Sequence, residues 1–572
     1  MYSIRNLSIV STGILFILLI ISIFFGIVSP PPIITYTTDE NFIGESGIFL
    51  FYGNTPRALE WAAIPSTFIA YFLFLVWTGI TIISQLKNIH GLPDILTIID
   101  KNTFHYINHR EEFVIWERYI QILLVGFIIF KTIQFIIHSN SSSLNNQTKF
   151  MLTLVCLCAD FLWLSVPIIR PEALSASIFL YIIILILFTN RLTPKFAFYI
   201  IFLFFVVITQ RLIYLFLSPF VFISIFMMLK NEKIALKSYI NLILISAIAL
   251  FGLMPFVVTD TLVVMKSFLG GVFIKINHDP MASFFNMTFI NSFLSKPMNI
   301  CFSIFAIVGI WYFYKLHQSK VLVLLFLGNF FFFMFSSLKA SQLYSSHTVP
   351  MSIMALVLIG YGLGNIIKLN ADWKIVLVAL LLLSNTTYSI YQNNFEIKTQ
   401  QQNLADAIAW IKTLPNNEKI ACELDFDGLV PKNKNCLQRE YELNASDNYR
   451  INKLNSLLKL PPNDSINKFS LPIVAQSFAF EDEKLFDTQY QIALKYFDSD
   501  LSKRYDVDFF FESNKNMSHC LVQQTAFKNF ADGKYHYLIT KQNLSEYSPL
   551  KAFTKSGGDS FWVYEFKPKN IH

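Results

Sequence analysis

The sequence predicts a polytopic α-helical membrane protein with about 11–13 spans, followed by a small C-terminal α/β domain. Charged residues are scarce in residues 1–394, with 23 basic and 15 acidic side chains, and ordinary in residues 395–572, with 22 basic and 23 acidic. Hydrophobic residues make up 54% of the chain and aromatic residues 16%, which excludes disordered, collagen-like and disulfide-framework classes. We therefore place a transmembrane domain at 1–394 and a soluble domain at 395–572.

Apolar runs in the first domain are each about one bilayer long or slightly shorter. They lie at 7–29, 63–84, 117–138, 149–168, 173–189, 196–209, 212–229, 238–258, 299–314, 321–337, 349–367 and 374–391. In lipid, backbone polar groups must be bonded within their own segment, so we expect helices. The first run is too long for a signal-peptide core and no small-residue cleavage site follows it, so we interpret it as an uncleaved span.

Basic connecting loops orient these spans, because cytoplasmic loops carry an excess of Lys and Arg. The basic loops lie at 139–149, 190–195, 230–237, 315–320 and 368–374. Placing them inside puts the segments 169–172, 259–298 and 338–348 outside, together with the C-terminal domain. We expect a multi-pass inner-membrane protein with a periplasmic C-terminal domain. The net charge of +7 comes from the membrane domain and does not indicate a nucleic-acid partner.

The topology near the N-terminus leaves two alternatives open. If 7–29 crosses outward, an even number of crossings must separate residue 30 from residue 116, yet 63–84 is the one obvious apolar run there. Either 63–84 lies along or dips into the outer face, or 86–100 adds a second pass. We favour a large external loop over about 30–116 that contains interfacial helices.

Four acidic residues of the membrane domain are candidate functional residues. Asp39 and Glu40 follow a Pro-rich exit from the first span, which forces an extended chain, so they lie at its outer mouth as a reactive pair or as a helix cap. Asp160 lies mid-span, where an ionisable group is a functional hypothesis, the alternative being a hydrogen bond to a neighbouring span. Glu172 lies at an outer junction, where it could pair with Arg170 as an anchor.

Basic and polar residues on the predicted outer side form a complementary set. Arg211 lies between two short apolar runs, where a lipid phosphate would balance its charge unless it snorkels to the interface. Lys339, Tyr344 and His347 enter a late span and offer a cation, a phenol and an imidazole, although an ordinary polar loop would look similar. The sequence has no Walker A pattern, dinucleotide fingerprint, HExxH motif or paired CxxC motifs.

The order of these features resembles the GT-C superfamily of membrane glycosyltransferases. The closest likeness is to family 39, the dolichyl-phosphate-mannose protein mannosyltransferase and aminoarabinose transferase branch, and it covers the layout of about residues 1–395. The residues that carry it are the acidic loop Tyr36–Gly44 with Arg57, then Arg118, Arg170-Pro171-Glu172 and Thr209-Gln210-Arg211. The chain departs from many relatives at Gln342-Leu343-Tyr344, where they have an Arg-Tyr pair, and at Glu172, where they have Asp.

The resemblance implies an inverting transfer of a sugar from a polyprenyl-phosphate carrier to an acceptor hydroxyl on the outer face. The acceptor would be a glycan, a lipid or a protein. Asp39, with Glu40, would act as the catalytic base, and the cations would stabilise the leaving phosphate. The substrate-binding set would be Glu172, Arg170, Arg211, Lys339, Tyr344, His347 and Arg57. No resident cofactor or metal site is indicated, and a divalent metal at Asp39 and Glu40 is left open.

Two other functions fit the same layout. A polysaccharide polymerase or ligase would use a diphosphate-linked donor, and large external loops with paired arginines would favour it. A transporter would use Asp160 for proton coupling, and inverted repeats would favour it. Neither of these sequence features is found, and an acidic first loop with a long extracytoplasmic tail fits a transporter poorly.

Overall fold

The structure, a computed structural model of the chain, is mostly helical. It describes residues 4–26, 64–108, 110–139, 144–165, 171–189, 192–210, 212–232, 234–253, 297–317, 319–339, 345–366, 372–411, 413, 420–422, 536–540, 543–545, 547–555, 557–558 and 560–565. All structural statements below concern these residues.

The described helices follow the predicted apolar runs closely. They are α1 Ile4–Gly26, α2 Ile64–Ser84, α3 Leu92–Asn108, α4 Arg110–His138, α5 Asn146–Leu157, α6 Asp160–Ser165, α7 Pro171–Phe188, α8 Pro194–Gln210, α9 Ser218–Asn231, α10 Leu236–Leu253, α11 Pro297–Leu316, α12 Lys320–Lys339, α13 Ser345–Ile366 and α14 Asp372–Ile411. Short 3₁₀ helices lie at Leu86–Asn88 and Leu212–Leu217.

The predicted class of a helical membrane protein is confirmed at the level of these helices. By length and composition, five described helical segments could cross a membrane, and six shorter apolar helices accompany them. The five are Leu7–Phe24, Phe113–His138, Asn146–Leu164, Tyr214–Asn231 and Val349–Ile366. Sidedness stays a prediction.

Hydrogen bonds between helix ends bring several basic connections together at one end of the bundle, named here the Ser139 end. The Ser139 hydroxyl donates to the carbonyl of Phe188 at 3.1 Å. The Lys149 ammonium donates to the carbonyl of Ser139, and His317 contacts the carbonyl of Leu187 at 3.0 Å. Three of the loops that the positive-inside rule assigns to one side therefore share one end of the fold.

The helix directions define the opposite end, named here the Glu172 end. Helices α4 and α7 both finish at the Ser139 end, so their first residues point away from it. Glu172 lies sixteen residues before Phe188, or about 24 Å along the axis at 1.5 Å per residue. Helix α13 ends near the Ser139 end, where the Asn365 amide contacts the Thr148 hydroxyl, and α14 begins six residues after α13 ends. The Thr386 hydroxyl of α14 then donates to the carbonyl of Cys158, just past the far end of α5, at 2.8 Å.

Helix α13 lies at the centre of the membrane domain and packs against α5, α7, α11 and α12. Glycines allow its closest contacts. A Cβ built on Gly362 would overlap the carbonyl oxygen of Phe305 on α11, and one on Gly309 would overlap that of Leu358. On another face, a Cβ on Gly364 would lie 2.6 Å from the Cα of Thr148 on α5. Small residues bring helix backbones together in membranes, where apolar burial cannot drive association.

The predicted span 149–168 is interrupted. Helix α5 ends at Leu157, and α6 begins at Asp160 after a turn. The indole N–H of Trp163 donates to the Leu157 carbonyl at 2.6 Å, and Thr386 bonds the Cys158 carbonyl. Side chains thus bond two of the carbonyls at the break, the kind of pairing that a break inside a membrane domain requires.

Helices α2 and α3 occupy part of the predicted external loop 30–116. The rings of Trp77 and Phe113 lie 4.8 Å apart, and the Asn102 amide donates to the Thr78 hydroxyl at 3.3 Å. Phe113 is about 38 Å from the Ser139 end along α4, so these contacts lie at the Glu172 end. Whether 63–84 crosses the bilayer stays open.

The described part of the C-terminal region is a four-stranded mixed sheet. Its strands are β1 Ile420–Cys422, β2 Tyr537–Thr540, β3 Lys551–Phe553 and β4 Phe561–Glu565, in the order β1-β2-β4-β3. Strands β1 and β2 pair parallel, and the other pairs are antiparallel. The sequence predicts a short strand at 419–423, and aromatic alternation predicts strands near 507–511 and 561–566. The first and the last are confirmed as β1 and β4, whereas 507–511 lies outside the described residues.

One helix links the two predicted domains. Apolar spacing over 404–411 predicts an amphipathic helix at the start of the C-terminal domain. In the structure this stretch is the last part of α14, which runs unbroken through the 394/395 boundary. The sheet packs on this part of α14, with the rings of Trp410 and Tyr537 5.7 Å apart. The boundary that composition places at 394/395 therefore lies within a continuous helix.

A buried histidine joins the α11–α12 connection to α7 at the Ser139 end. The Nδ1 atom of His317 accepts from the Ser319 N–H at 3.2 Å, so the proton of the neutral ring lies on Nε2 and is donated to Leu187. Burial lowers the pKa of His317 below its ordinary value, and the nearby charge of Lys320 lowers it further.

Acidification should therefore destabilise the protein through His317. Because the folded-state pKa is lowered, the unfolded chain binds a proton that the folded chain rejects once the pH falls below 6.5. This stability is complete above that pH and is lost below it, by at most about 1.4 kcal/mol per pH unit. We expect the apparent melting temperature in detergent to fall between about pH 7.5 and pH 5.5. It should fall less in His317→Gln, which keeps a donor for Leu187; equal falls would contradict this role.

Candidate functional site

Helix α4 carries three buried polar side chains in its third and fourth turns. Glu117 and Gln121 are 0% exposed and Arg118 is 1% exposed, whereas the neighbouring Trp116 is 60% exposed. Helical spacing explains the contrast, because these three side chains share the face that also buries Val125. They lie about 26–32 Å from the Ser139 end along α4.

Glu172 lies on α7, which packs against α4. It is 5% exposed and follows Pro171, the first residue of the helix. Proline is tolerated at this position because its missing N–H would have no partner inside the helix, and the helix dipole favours an acid in the first turn. At about 24 Å from the Ser139 end, Glu172 lies at nearly the same height as Gln121.

These side chains form what we name the polar layer: Glu117, Arg118, Gln121 and Glu172. The two acids and the guanidinium are each buried, at similar heights on two helices that pack together, towards the Glu172 end of an otherwise apolar bundle. Charged groups at such positions are costly, and in membrane proteins they mark substrate or ion sites. The layer places ionisable side chains at the end of the bundle where the acidic loop is predicted.

Asp160 starts helix α6 at the break in the predicted span. Its Oδ1 accepts from the backbone N–H of Phe161 at 2.7 Å, and the residue is half-buried. It lies about 21 Å above the first residue of α5, close to the height of Glu172. The carboxylate thus accepts a bond from its own helix, and the two interpretations from sequence, a functional acid or a bond to a neighbouring span, stay predictions.

Two other predicted site residues lie on described helix ends. Helix α12 starts at the Ser139 end, so its last residue, Lys339, lies at the opposite end. The Asn365 amide contacts the Thr148 hydroxyl at 3.5 Å near the Ser139 end, so His347, in the first turn of α13, also lies at the Glu172 end. Their side chains are not described.

The remaining predicted site residues lie outside the described part of the chain. They are Asp39, Glu40, Arg57, Arg170, Arg211 and Tyr344. The chain on both sides of Arg211 is described: α8 ends at Gln210, and Tyr214 packs its ring 5.1 Å from that of Phe179 on α7. The segment next to Arg211 therefore lies against the helix that carries Glu172.

Sequence reasoning missed Glu117 and Gln121, and used Arg118 for the family resemblance without placing it in the site. The sequence does contain a pattern that predicts their burial. Buried positions on α4 recur at 114, 118, 121 and 125, so helical periodicity from the apolar residues Val114 and Val125 places the polar residues on the inner face. Among the described residues, no group of three or more His, Cys, Asp or Glu is placed to hold a metal ion.

Comparison of the chain with protein-family models and with curated proteins finds no match. The fold and the site together define a helical membrane protein with a buried polar layer at one end of its bundle. The assignment of an activity therefore depends on the chemistry of that end.

Proposed function

We propose that the chain is an inverting glycosyltransferase of the GT-C type, which moves a sugar from a polyprenyl-phosphate carrier to an acceptor hydroxyl. The supporting observation is the polar layer, which lies at the end of the bundle where the sequence predicts the acidic external loop. A lipid-linked phosphate needs buried positive charge next to apolar helices, and Arg118 provides such a charge.

The proposed reaction is a single displacement. The acceptor oxygen attacks the anomeric carbon, and its proton passes to Asp39 as the bond from that carbon to the phosphate oxygen breaks. The polyprenyl phosphate leaves on the opposite face, so the sugar is transferred with inversion. Arg211, with Arg170 and Lys339, would stabilise the negative charge that develops on the leaving phosphate.

The acids other than Asp39 would position the reactants. Glu172, held in the first turn of α7, and Glu40 would bind sugar hydroxyls or the acceptor. Arg57, Tyr344 and His347 would complete the binding site from the external segments. The acceptor would be a glycan, a lipid or a protein. The periplasmic side of a bacterial inner membrane is the setting that the basic loops predict.

A second candidate function is transport, which the break between α5 and α6 favours. Interrupted membrane helices with an ionisable group often line the substrate sites of transporters, and Asp160 stands at this break. This observation is weaker support for transport because Trp163 and Thr386 already bond two of the carbonyls at the break, those of Leu157 and Cys158. A transporter that is open to substrate leaves such groups for its ligand.

The experiment supplies the purified full-length protein in lipid nanodiscs with sugars on polyprenyl phosphate and on polyprenyl diphosphate, together with peptide, lipid and glycan acceptors. Mass spectrometry follows both lipid species. We expect free polyprenyl phosphate to form from at least one phosphate-linked donor. Consumption of diphosphate-linked donors alone would instead support a polymerase or ligase. Solute uptake into proteoliposomes without donor cleavage would support transport.

A further inference from the structure

The exposed surface near the Ser139 end carries a first group of aromatic side chains. On α11, Trp311 is 66% exposed and Tyr314 is 45% exposed, at about 8 and 3 Å from the end of the helix. The Lys320 ammonium lies 4.8 Å from the centroid of the Tyr314 ring. Lys131 is exposed on α4 about 10 Å from the same end. Aromatic rings beside lysines are typical of a water–lipid interface.

A second aromatic group lies towards the Glu172 end. On α14, Tyr388, Tyr391 and Phe395 are between 52% and 63% exposed and recur at helical spacing on one face. They lie about 24–35 Å above Asp372, the first residue of the helix. On α4, the exposed Trp116 lies at about 33 Å, with its ring 5.9 Å from that of Tyr119.

The surface between the two groups is apolar on three different helices and, among the side chains named here, holds no Trp or Tyr. Exposed side chains there are Leu123 at 58% and Phe127 at 57% on α4, Ile304 at 55% and Ile307 at 67% on α11, and Leu380 at 54% and Leu381 at 56% on α14. Exposing so continuous an apolar surface to water would be unfavourable, whereas lipid chains would cover it.

We infer that the two aromatic groups mark the two surfaces of the bilayer and that the polar layer lies level with the headgroups at the upper one. The lower group is Trp311 and Tyr314, and the upper group is Trp116, Tyr388, Tyr391 and Phe395. They lie about 20–30 Å apart along the bundle, close to the thickness of a hydrocarbon core. The partner of this surface is a phospholipid bilayer, whatever reaction the protein catalyses.

The inference sets the depth of the buried charges. Glu172 at about 24 Å and Arg118 at about 30 Å fall within the height range of the upper aromatic group. A phosphate carried by a membrane lipid would therefore meet the polar layer at headgroup depth, without being drawn into the hydrocarbon centre. A position at the centre would have required a water-filled cavity to reach the same groups.

Helix α14 offers a depth series for the test. Leu377, Ser384, Tyr391 and Lys398 are all exposed, share one face and rise about 10.5 Å from each to the next. Each is changed to Cys in a full-length variant without the six native cysteines, and a nitroxide is attached. The protein is placed in nanodiscs of phosphatidylcholine and phosphatidylglycerol, and oxygen and nickel-chelate accessibilities are measured by electron paramagnetic resonance.

We expect the ratio of oxygen to nickel accessibility to be highest at position 384, lower at 377 and 391, and lowest at 398. A maximum at 391, or a water-like value at 384, would overturn the inference. So would protection of 391 from both reagents, which would mean that the protein itself covers the upper group. As a check with native cysteines, Lys substitutions at 377, 384 and 391 should reduce thermal stability most at 384.

Discussion

Replacing Asp39 with Asn should slow sugar transfer about 10²–10⁴-fold, the usual loss when a general base is removed. The amide has nearly the same shape but cannot accept the acceptor proton at neutral pH. The measurement is the initial rate of polyprenyl phosphate release from the donor that the wild-type protein uses. We expect the loss mainly in kcat, because donor binding depends on the cations and the apolar helices.

The matched control is Asp406→Asn, which makes the same chemical change at an exposed position on α14. Its rate should equal that of the wild type. If Asp39→Asn retained full activity, Asp39 would be removed from the mechanism. Glu40→Gln and Glu172→Gln would then be compared, because these are the other acids placed at the proposed site.

Replacing Gly362 with Ala should destabilise the membrane domain by about 1–3 kcal/mol or prevent its assembly. The added methyl group would overlap the backbone carbonyl of Phe305, and a backbone atom cannot rotate away as a side chain can. Gly309→Ala should act similarly through the carbonyl of Leu358. The readout is the apparent melting temperature of purified protein, together with the fraction that elutes as a single species.

Gly328 on α12 is the matched control, because a Cβ built there meets nothing within 4 Å. Gly328→Ala should leave stability unchanged or raise it, since alanine favours a helix by about 1 kcal/mol over glycine. Equal behaviour of Gly328→Ala and Gly362→Ala would show that α11 and α13 are not packed as closely as described.

Hydropathy could predict the helices because each apolar run must satisfy its own backbone in lipid. Runs such as 349–367 and 321–337 coincide with α13 and α12 to within a few residues. Charge could predict one end of the bundle, since Lys149 and Lys320, in the first turns of α5 and α12, both bond backbone carbonyls there. These features depend on local composition, which can be obtained from a single sequence.

Features that depend on contacts between distant segments could not be predicted in the same way. The break at Cys158 depends on Trp163 and on Thr386, 228 residues further along the chain. The sequence also does not show that α14 continues through the domain boundary. The composition of the helix changes there from apolar to polar, whereas its backbone stays helical. The rise in charged residues after residue 394 therefore indicated where the apolar part of α14 gives way to a polar part, but it did not indicate where the helix ends.

The candidate site was predicted in part. Glu172 was named from its position at an outer junction, and the structure buries it at the end of the bundle where Lys339 and His347 also lie. Glu117 and Gln121 required knowledge of which face of α4 is turned inward. Asp39 and Arg211 lie outside the described residues, so their roles stay predictions.

The most direct test of the proposed transfer is its stoichiometry. The wild-type protein is given a donor with one isotope in the sugar and another in the polyprenyl chain, with and without acceptor. We predict one polyprenyl phosphate for each sugar that becomes attached to the acceptor, and negligible release without acceptor. Labelled sugar that stays on its lipid under all conditions, or that appears solely as free sugar, would contradict the proposal.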